Sequence, residues 1–354
     1  MAQAESYQTA VVLQGGGALG AYEYGVLKAL YEARPGFTPA VVTGISIGAI
    51  NAAILVAAKD DPIETLGEVW RDHFTQPEFL PQPIRAAFEL FTGLQTGQYL
   101  SAFGNPGMYQ FRPDFLWAPL LADSIYSTAP LRRTLEEVLD LEKLNRRDIH
   151  LVVGAVDVAK GELKDNYGFD NRKEPLSVEH IIASGSIPPS FPMVQIDGAY
   201  YWDGGLFLNT PLSPAINCLE QLEGDVLREL IVVELFPMEA PVPKDMLGVL
   251  NRLSQLLFTS KLNLDRKLFS KFGKLIRFIE KAAPYIPAEL RSDEAYSEIF
   301  QKYKRIDALT VVTANFPPER ANTGDFSQET IEWRIRAGYH DAKEQNIGQP
   351  RLVE

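Results

Sequence analysis

The pentapeptide Gly44-Ile45-Ser46-Ile47-Gly48 has the residue types and spacing of a serine nucleophile site. It fits G-x-S-x-G and lies between a predicted strand, VVTG, and a predicted helix, which is the context of a nucleophile elbow. At such a turn the hydroxyl points out of the sheet edge, the glycines allow close backbone approach, and the helix N-terminus favours the alkoxide. A serine that only caps the helix is the alternative, and the strand-turn-helix context favours the nucleophile.

A glycine cluster near the N-terminus raises a second question. Gly15, Gly17 and Gly20 fit G-x-G-x-x-G, which is typical of a dinucleotide site or of a turn that holds another negative charge. A dinucleotide fold places an acidic residue about 20 positions later, after the second strand, and this chain has none there. With a nucleophilic serine present, the cluster predicts an oxyanion hole made of backbone N–H groups. The predicted oxyanion residues are Gly15, Gly16, Gly17 and Ala18.

The serine also needs a base, and Asp203 is the best candidate. It lies in Tyr-Trp-Asp-Gly-Gly, where aromatic neighbours raise the carboxyl pKa by desolvation and Gly204 and Gly205 allow close approach to Ser46. An Asp-Gly-Gly sequence alone is usually only a turn, so its interest depends on the other motifs. None of the histidines lies in a turn of the catalytic kind, and His180 is the best of them. The four are His73, His150, His180 and His340.

Four motifs together, in this order, resemble the patatin-like phospholipase family: GGGALG, GISIG at the head of a helix, ASGSIPPSFP, and DGG ahead of a helix. The resemblance covers residues 8–215. It implies a parallel-sheet α/β/α fold and a Ser/Asp dyad that hydrolyses acyl esters without histidine. By this resemblance Ser46 is the nucleophile, Asp203 is the general base, and the loop from Gly15 to Gly20 is the oxyanion hole. Many members carry Arg where this chain has Leu19.

The order of predicted elements favours the same architecture. Short apolar strands alternate with helices over the first sixty residues, which is typical of a parallel sheet covered on both faces. We predict a single hydrolase domain over 8–350, with its motifs in 8–215 and a C-terminal part over 229–350 that adds a helical extension. Residues 76–128 are rich in Pro, Gly and aromatics, and they predict an irregular cap insertion.

Composition excludes some function classes. A formal charge of −12 and a pI near 5.0 argue against a nucleic-acid partner. The single cysteine, Cys218, cannot form an intrachain disulfide, and its apolar surroundings predict a buried helix residue. The N-terminal segment lacks the pattern of a signal peptide, so we predict a cytoplasmic location. No metal and no cofactor are predicted, because no residue cluster with ligand spacing was found.

One basic segment stands out in this acidic chain. Residues 261–281 contain seven Lys or Arg and two acidic residues, with apolar side chains at helical spacing. A basic amphipathic helix of this kind either packs its apolar stripe on its own domain or lies on an anionic lipid surface. Packing on the domain is the favoured interpretation, and peripheral membrane contact is the alternative.

These observations predict a serine acyl hydrolase that cleaves carboxylic esters of lipids, an esterase of the phospholipase A type, through an acyl-enzyme at Ser46. A thioesterase or an acyltransferase would use the same site. A nucleotide-binding oxidoreductase and an inactive lipid-binding protein or scaffold are the remaining alternatives. The sequence does not specify the acyl chain, the head group or the oligomeric state.

Overall fold

A computed structural model gives the fold. The structure describes residues 7–76, 103–224, 226–236, 242–244, 246–294, 296, 303–317 and 320–353. For residues 247, 250, 251, 254 and 260–272 the description is limited to the backbone. Part of the predicted cap, residues 77–102, therefore lies outside the described residues.

The described residues contain the following strands and helices, given in chain order. The strands are β1 Tyr7–Leu13, β2 Val41–Gly44, β3 Gly104–Asn105, β4 Tyr109–Phe111, β5 Tyr126–Ser127, β6 His150–Val153, β7 Ala155–Asp157, β8 Glu162–Leu163, β9 Phe169–Asp170, β10 Val194–Ile196, β11 Ala199–Asp203, β12 Leu227–Glu234 and β13 Ala308–Thr313. The helices are α1 Gly20–Ala33, α2 Ile47–Ala57, α3 Pro62–Glu68, α4 Asp114–Trp117, α5 Ala129–Val138, α6 Leu141–Arg146, α7 Val178–Ser184, α8 Leu212–Glu220, α9 Met246–Ala282, α10 Ala288–Arg291 and α11 Gln328–Glu344.

The central sheet is largely parallel. Its strand order is β13-β12-β1-β2-β6-β9, and β9 alone among these six runs antiparallel to its neighbour. Helices α1, α2 and α11 pack on one face of this sheet and α8 packs on the other. The fold is therefore the predicted three-layer α/β/α arrangement.

Alternate residues of the strands point into two separate cores. Val11, Leu13 and Val42 face the layer of α1 and α2, whereas Val12 and Val41 face α8. Side chains alternate across a strand, so a strand buried on both faces reads as a continuous apolar run in the sequence. The runs AVVL and VV produce this two-sided burial directly.

The apolar run HLVVGAVDV, residues 150–158, does not form one strand, because it divides at Gly154. Strand β6 belongs to the parallel sheet, while β7 belongs to a separate antiparallel sheet in the order β10-β11-β7-β8. A Cβ at Gly154 would lie 2.0 Å from Ile45 Cδ1, so a larger residue there would require the Ile45 side chain to move. This change of sheet brings β11, which ends at Asp203, toward the carboxyl end of β2.

The described part of the predicted cap has more order than expected. Strands β3, β4 and β5 form a small antiparallel sheet, and Tyr109 packs against Tyr126, Phe191 and Phe326. Aromatic edge-to-face contacts of this kind fix a short excursion on the domain that carries it.

The basic segment predicted over 261–281 is part of a longer helix, α9, which begins at Met246. Its first half, MLGVLNRLSQLLFTS, has apolar residues at helical spacing and lacks the cluster of Lys and Arg residues in the second half. No helix in the described part of the chain combines the length and apolarity that crossing a bilayer requires.

Candidate active site

Ser46 occupies a strained turn between β2 and α2. Its backbone has φ 54° and ψ −123°, a region that a residue with a side chain rarely adopts. A Cβ on Gly44 would lie 2.3 Å from the Gly48 carbonyl oxygen, and one on Gly48 would lie 2.5 Å from the Leu13 carbonyl oxygen. A side chain at either position would therefore collide with the backbone.

Hydrogen bonds to Ser184 of α7 hold the Ser46 turn in place. The Ser46 amide donates to the backbone carbonyl and to the hydroxyl of Ser184, each at 3.1 Å. Ser46 is partly exposed, although the residues on either side of it are buried. The strained backbone is thus fixed by α7, and Ser46 keeps partial access to solvent.

Parallel pairing brings the glycine cluster to the same edge of the sheet. Leu13 of β1 pairs with Gly44 of β2, so the chain leaves both strands side by side at their carboxyl ends. A Cβ on Gly15 would lie 3.1 Å from Ser46 Cβ. Ligand sites in open α/β sheets lie at this edge.

Asp203 meets Ser46 although 157 positions separate them in the sequence. The Ser46 side chain lies close enough to the Asp203 carboxyl group to lower its pKa, and the Gly205 amide donates to Asp203 Oδ1 at 2.7 Å. Only 2% of Asp203 is exposed. Burial raises the pKa of Asp203 to about 7, against the smaller lowering effects of the Gly205 amide and the Ser46 side chain.

The two glycines after Asp203 allow this close approach. A Cβ on Gly204 would lie 2.6 Å from the Gly154 backbone, and one on Gly205 would lie 3.1 Å from Asp203 Oδ1. Any larger residue would push the turn away from the sheet. These contacts are consistent with two glycines that allow Asp203 to approach Ser46 closely.

Asn209 connects the Asp203 turn to the glycine cluster. The Gly15 amide donates to the Asn209 carbonyl at 3.2 Å, and Asn209 Nδ2 donates to the Gly15 carbonyl at 3.1 Å. Asn209 is buried. The sequence analysis missed it, and its place six residues after Asp203 was the signal available.

Two of the four predicted oxyanion amides already have acceptors. The Gly15 amide bonds to Asn209 as described, and the Ala18 amide donates to the Thr323 carbonyl at 2.8 Å. Within the described residues the amides of Gly16 and Gly17 donate to no acceptor. Of the four predicted oxyanion donors, the amides of Gly16 and Gly17 are therefore the ones left to bind an oxyanion.

Gly17 holds the loop in a shape that only glycine adopts easily. Its φ is +56°, and a Cβ there would lie 2.5 Å from the Thr323 carbonyl oxygen. The loop around Thr323 therefore packs directly on the glycine cluster. Nothing in the motif pattern indicated that a segment so far along the chain would lie here.

Arg334 ties that loop to the glycine cluster. It is fully buried on α11 and donates to the carbonyls of Ala18, Asn322 and Asp325 at 2.8–3.1 Å, and also to that of Arg320. Burial lowers the pKa of its guanidinium to about 10, so it stays charged at neutral pH. Leu19, at the position where many members carry Arg, is buried in the main core. An arginine thus contacts the loop from another part of the chain.

The histidines have other partners in the part of the chain that the structure describes. His180 Nδ1 accepts from the Ser177 amide in the cap of α7, and burial lowers the pKa of its ring. His150 Nε2 lies 2.7 Å from Asp170 Oδ1 and 3.6 Å from the thiol of Cys218, which is buried in α8 as predicted. Neither histidine bonds to Ser46 or Asp203.

One group with metal-ligand spacing escaped the sequence analysis. His340, Asp341 and Glu344 on α11 offer ligand atoms within 4.8 Å of one another among the described residues. His340 and Glu344 are exposed and Asp341 is half-buried. Exposed acidic groups commonly lie together without a metal, and this one lies on the surface of a helix rather than in a closed cage.

The chain was compared with a family profile, with solved structures and with curated proteins. A sequence profile for the patatin-like phospholipase family matches residues 11–216. Among solved structures, the crystal structure of VipD from Legionella pneumophila is similar, with 16% identity and a TM-score of 0.41 over 98% of this chain and 68% of that chain. No curated protein matches the chain.

Proposed function

Because the chain belongs to the patatin-like phospholipase family, a family of lipid hydrolases, we propose that it cleaves carboxylic esters of lipids through a Ser46–Asp203 dyad. The observation that carries the proposal is the approach of the Ser46 side chain to a buried carboxyl group whose pKa is raised to about 7. A base with a pKa near the working pH accepts a proton effectively and can also return it.

The first half of the reaction forms an acyl-enzyme. Ser46 Oγ attacks the ester carbonyl carbon, its proton passes to the Asp203 carboxylate, and the carbonyl electron pair moves to oxygen. The tetrahedral intermediate then expels the alcohol, which takes the proton from Asp203. In the second half, water attacks the acyl group, Asp203 accepts a proton from that water, and the proton returns to Ser46 as the fatty acid leaves.

The amides of Gly16 and Gly17 supply the oxyanion hole in this proposal. They belong to the loop that approaches Ser46 through Gly15, and they have no acceptor among the described residues. Donors that are already oriented stabilise the developing charge without reorganisation, and one such donor typically contributes about 3 to 4 kcal/mol. The positive end of α2, which begins at Ile47, adds to the same field.

An acyl-donor screen tests this function. The protein is compared with its Ser46→Ala variant on phospholipid, lysophospholipid, a monoacyl ester, a p-nitrophenyl ester and acyl-CoA. We expect ester turnover by the protein and none by the variant, with a phospholipid or lysophospholipid among the substrates. Preference for acyl-CoA would favour a thioesterase, and product formed only with an added alcohol would favour an acyltransferase.

Water is the favoured acceptor because Ser46 is partly exposed, so solvent can reach its acyl-enzyme. The acyl chain and the position cleaved follow from the same screen. A cytoplasmic location, peripheral to a membrane, stays a prediction.

A further inference from the structure

Helix α9 is anchored on the domain by one side. Phe258 packs on Phe236 with ring centroids 5.5 Å apart, and the Thr259 hydroxyl lies 3.4 Å from the Phe236 carbonyl oxygen. Gln255 is buried on the same side. Since residues three and four apart share a face of a helix, these three define the face that contacts the protein.

The opposite face of α9 is apolar and exposed. Its first five members are spaced along the helix by three, four, three and one residues, and Leu253 and Leu257 lie about half a turn from Gln255. Leu257 is 58% exposed and Leu253 is 53% exposed. The same stripe continues near the end of the helix, where Phe278 is 69% exposed. The full set among the described side chains is Met246, Val249, Leu253, Leu256, Leu257, Leu275 and Phe278.

The charge of α9 is opposite to that of the chain. Residues 246–282 carry eight Lys or Arg and two acidic residues, a formal charge of +6, while the whole chain has −12. A helix with exposed apolar side chains and a local positive charge fits an anionic lipid surface, where each basic residue contributes about 1 kcal/mol. The rest of the acidic protein gives such a surface no attraction, so contact is limited to this element.

The helix also lies beside the candidate active site. A Cβ on Gly205, two residues after Asp203, would lie 3.6 Å from Phe258 Cε1. The anchored face of α9 therefore adjoins the Asp203 turn, and the apolar face points away from it. A membrane bound to this outward face would be separated from the dyad by about the diameter of a helix, roughly 10 Å.

We propose that α9 docks the protein on anionic membranes, with Leu253 and Leu257 entering the interface. This inference rests on the proposed function for its purpose, which is to bring the lipid substrate to the dyad. The docking itself is independent of catalysis. It can therefore be measured with a protein that does not hydrolyse the vesicle.

The experiment uses the Ser46→Ala variant throughout and measures co-sedimentation with vesicles of phosphatidylcholine, with and without phosphatidylglycerol. We expect binding to the anionic vesicles, weakened by salt, and little binding to the neutral ones. Adding Leu253→Gln with Leu257→Gln should weaken the apparent affinity roughly tenfold or more. The matched control is Leu290→Gln with Leu352→Gln, two leucines of similar exposure outside α9, and it should bind like the parent.

A second pair tests the charge. Lys274→Glu with Lys281→Glu replaces two exposed residues of α9. This pair should weaken binding to anionic vesicles and leave the binding to neutral vesicles unchanged. Thermal unfolding of each variant confirms that it is folded. The proposal is overturned if vesicles do not bind, if the α9 pairs bind like the parent, or if the outward leucines instead mediate a dimer in light scattering. An active protein that fails to bind vesicles would refute docking and leave the hydrolase proposal intact. A protein that binds vesicles but hydrolyses no ester would refute the hydrolase proposal and leave docking intact.

Discussion

Ser46 and Cys218 lie toward opposite ends of the parallel sheet, and each is close to a buried carboxylate. Ser46 lies beside Asp203 at the carboxyl end of β2, while Cys218 contacts His150, the first residue of β6, which in turn bonds to Asp170. By residue type alone, the Cys-His-Asp group looks the more reactive. The geometry indicates the reverse.

The ring nitrogens of His150 explain why. In a working triad the carboxylate and the nucleophile contact different nitrogens of the imidazole. Here both contact Nε2. Burial opposes ionisation of Asp170, but the bond from His150 lowers its pKa below the ordinary value, so it is an acceptor and Nε2 is the donor. That nitrogen cannot also take a proton from the thiol.

The two nucleophiles also differ in their surroundings. Cys218 is 3% exposed in the middle of α8, and burial raises the pKa of its thiol to about 12. Ser46 is partly exposed at a helix N-terminus, beside a carboxyl group with a raised pKa and two amides that have no acceptor among the described residues. Position at the sheet edge and access to solvent therefore separate a candidate site from a structural cluster.

Removing the Ser46 hydroxyl should have the largest effect. Ser46→Ala is expected to lower kcat on p-nitrophenyl esters roughly 10⁴-fold or more, because no acyl-enzyme can form. A fluorophosphonate probe should label the protein but not the variant, with the modified residue identified by mass spectrometry. Labelling at another serine, or labelling that persists in the variant, would refute the assignment.

Asp203→Asn should come next, with a loss in kcat of roughly 10³-fold, because it keeps the shape of the side chain but removes the base. In the unmodified protein, kcat/KM should fall as the pH drops through about 7, since the carboxyl is then protonated. Burial disfavours the charged form, so the substitution should not lower the unfolding temperature at pH 8.

Asp157→Asn is the matched control for that experiment. Asp157 is also buried and lies on β7 beside β11, but it accepts from the amides of Lys160 and Ala159, which lower its pKa. Its replacement should leave the pH profile unchanged. A profile that shifts equally in both variants would contradict the role given to Asp203.

Gly17→Ala should lower kcat roughly 10²-fold by moving one proposed oxyanion donor. The added Cβ would meet the Thr323 carbonyl, and the φ of +56° would be strained. Gly36→Ala is the control, since Gly36 also has positive φ, +77°, but open space around it. Both variants should lose about 1 kcal/mol of stability from the backbone, and only the first should lose activity. Equal activities would remove the glycine loop from the mechanism.

Arg334→Lys should have a smaller effect on the same loop, roughly tenfold in kcat with KM unchanged, because the oxyanion exists only in the transition state. Lysine keeps the charge but not the planar fork that reaches several carbonyls at once. Rates are divided by the concentration of sites titrated with fluorophosphonate, so unfolded protein does not count. Arg336→Lys, exposed on the same helix, should behave like the parent. A change confined to KM would contradict a positioning role.

The sequence predicted what local patterns encode. The elbow at Ser46, its glycines and Asp203 follow from residue types and spacing, and the alternation of apolar runs predicted the layered sheet. Contacts made by distant segments were not visible. Thr323 and Arg334 reach the glycine cluster from more than 300 positions away, and nothing in their local sequence marks them. The division at Gly154 was readable in principle, because a glycine inside a strand pattern often marks a break.

The smallest expected effect is that of Cys218→Ala. Because the thiol is buried and un-ionised and its neighbouring nitrogen is already a donor, we expect hydrolysis and fluorophosphonate labelling to stay within about twofold of the parent. Loss of the buried sulfur should cost about 1 kcal/mol in the free energy of unfolding, measured with urea. Iodoacetamide should modify Cys218 only after denaturation, with the Ser46→Ala variant as the folded reference. If instead Cys218→Ala abolished ester turnover while Ser46→Ala did not, the two ends of the sheet would exchange roles, and geometry at the carboxyl edge would no longer identify the active site.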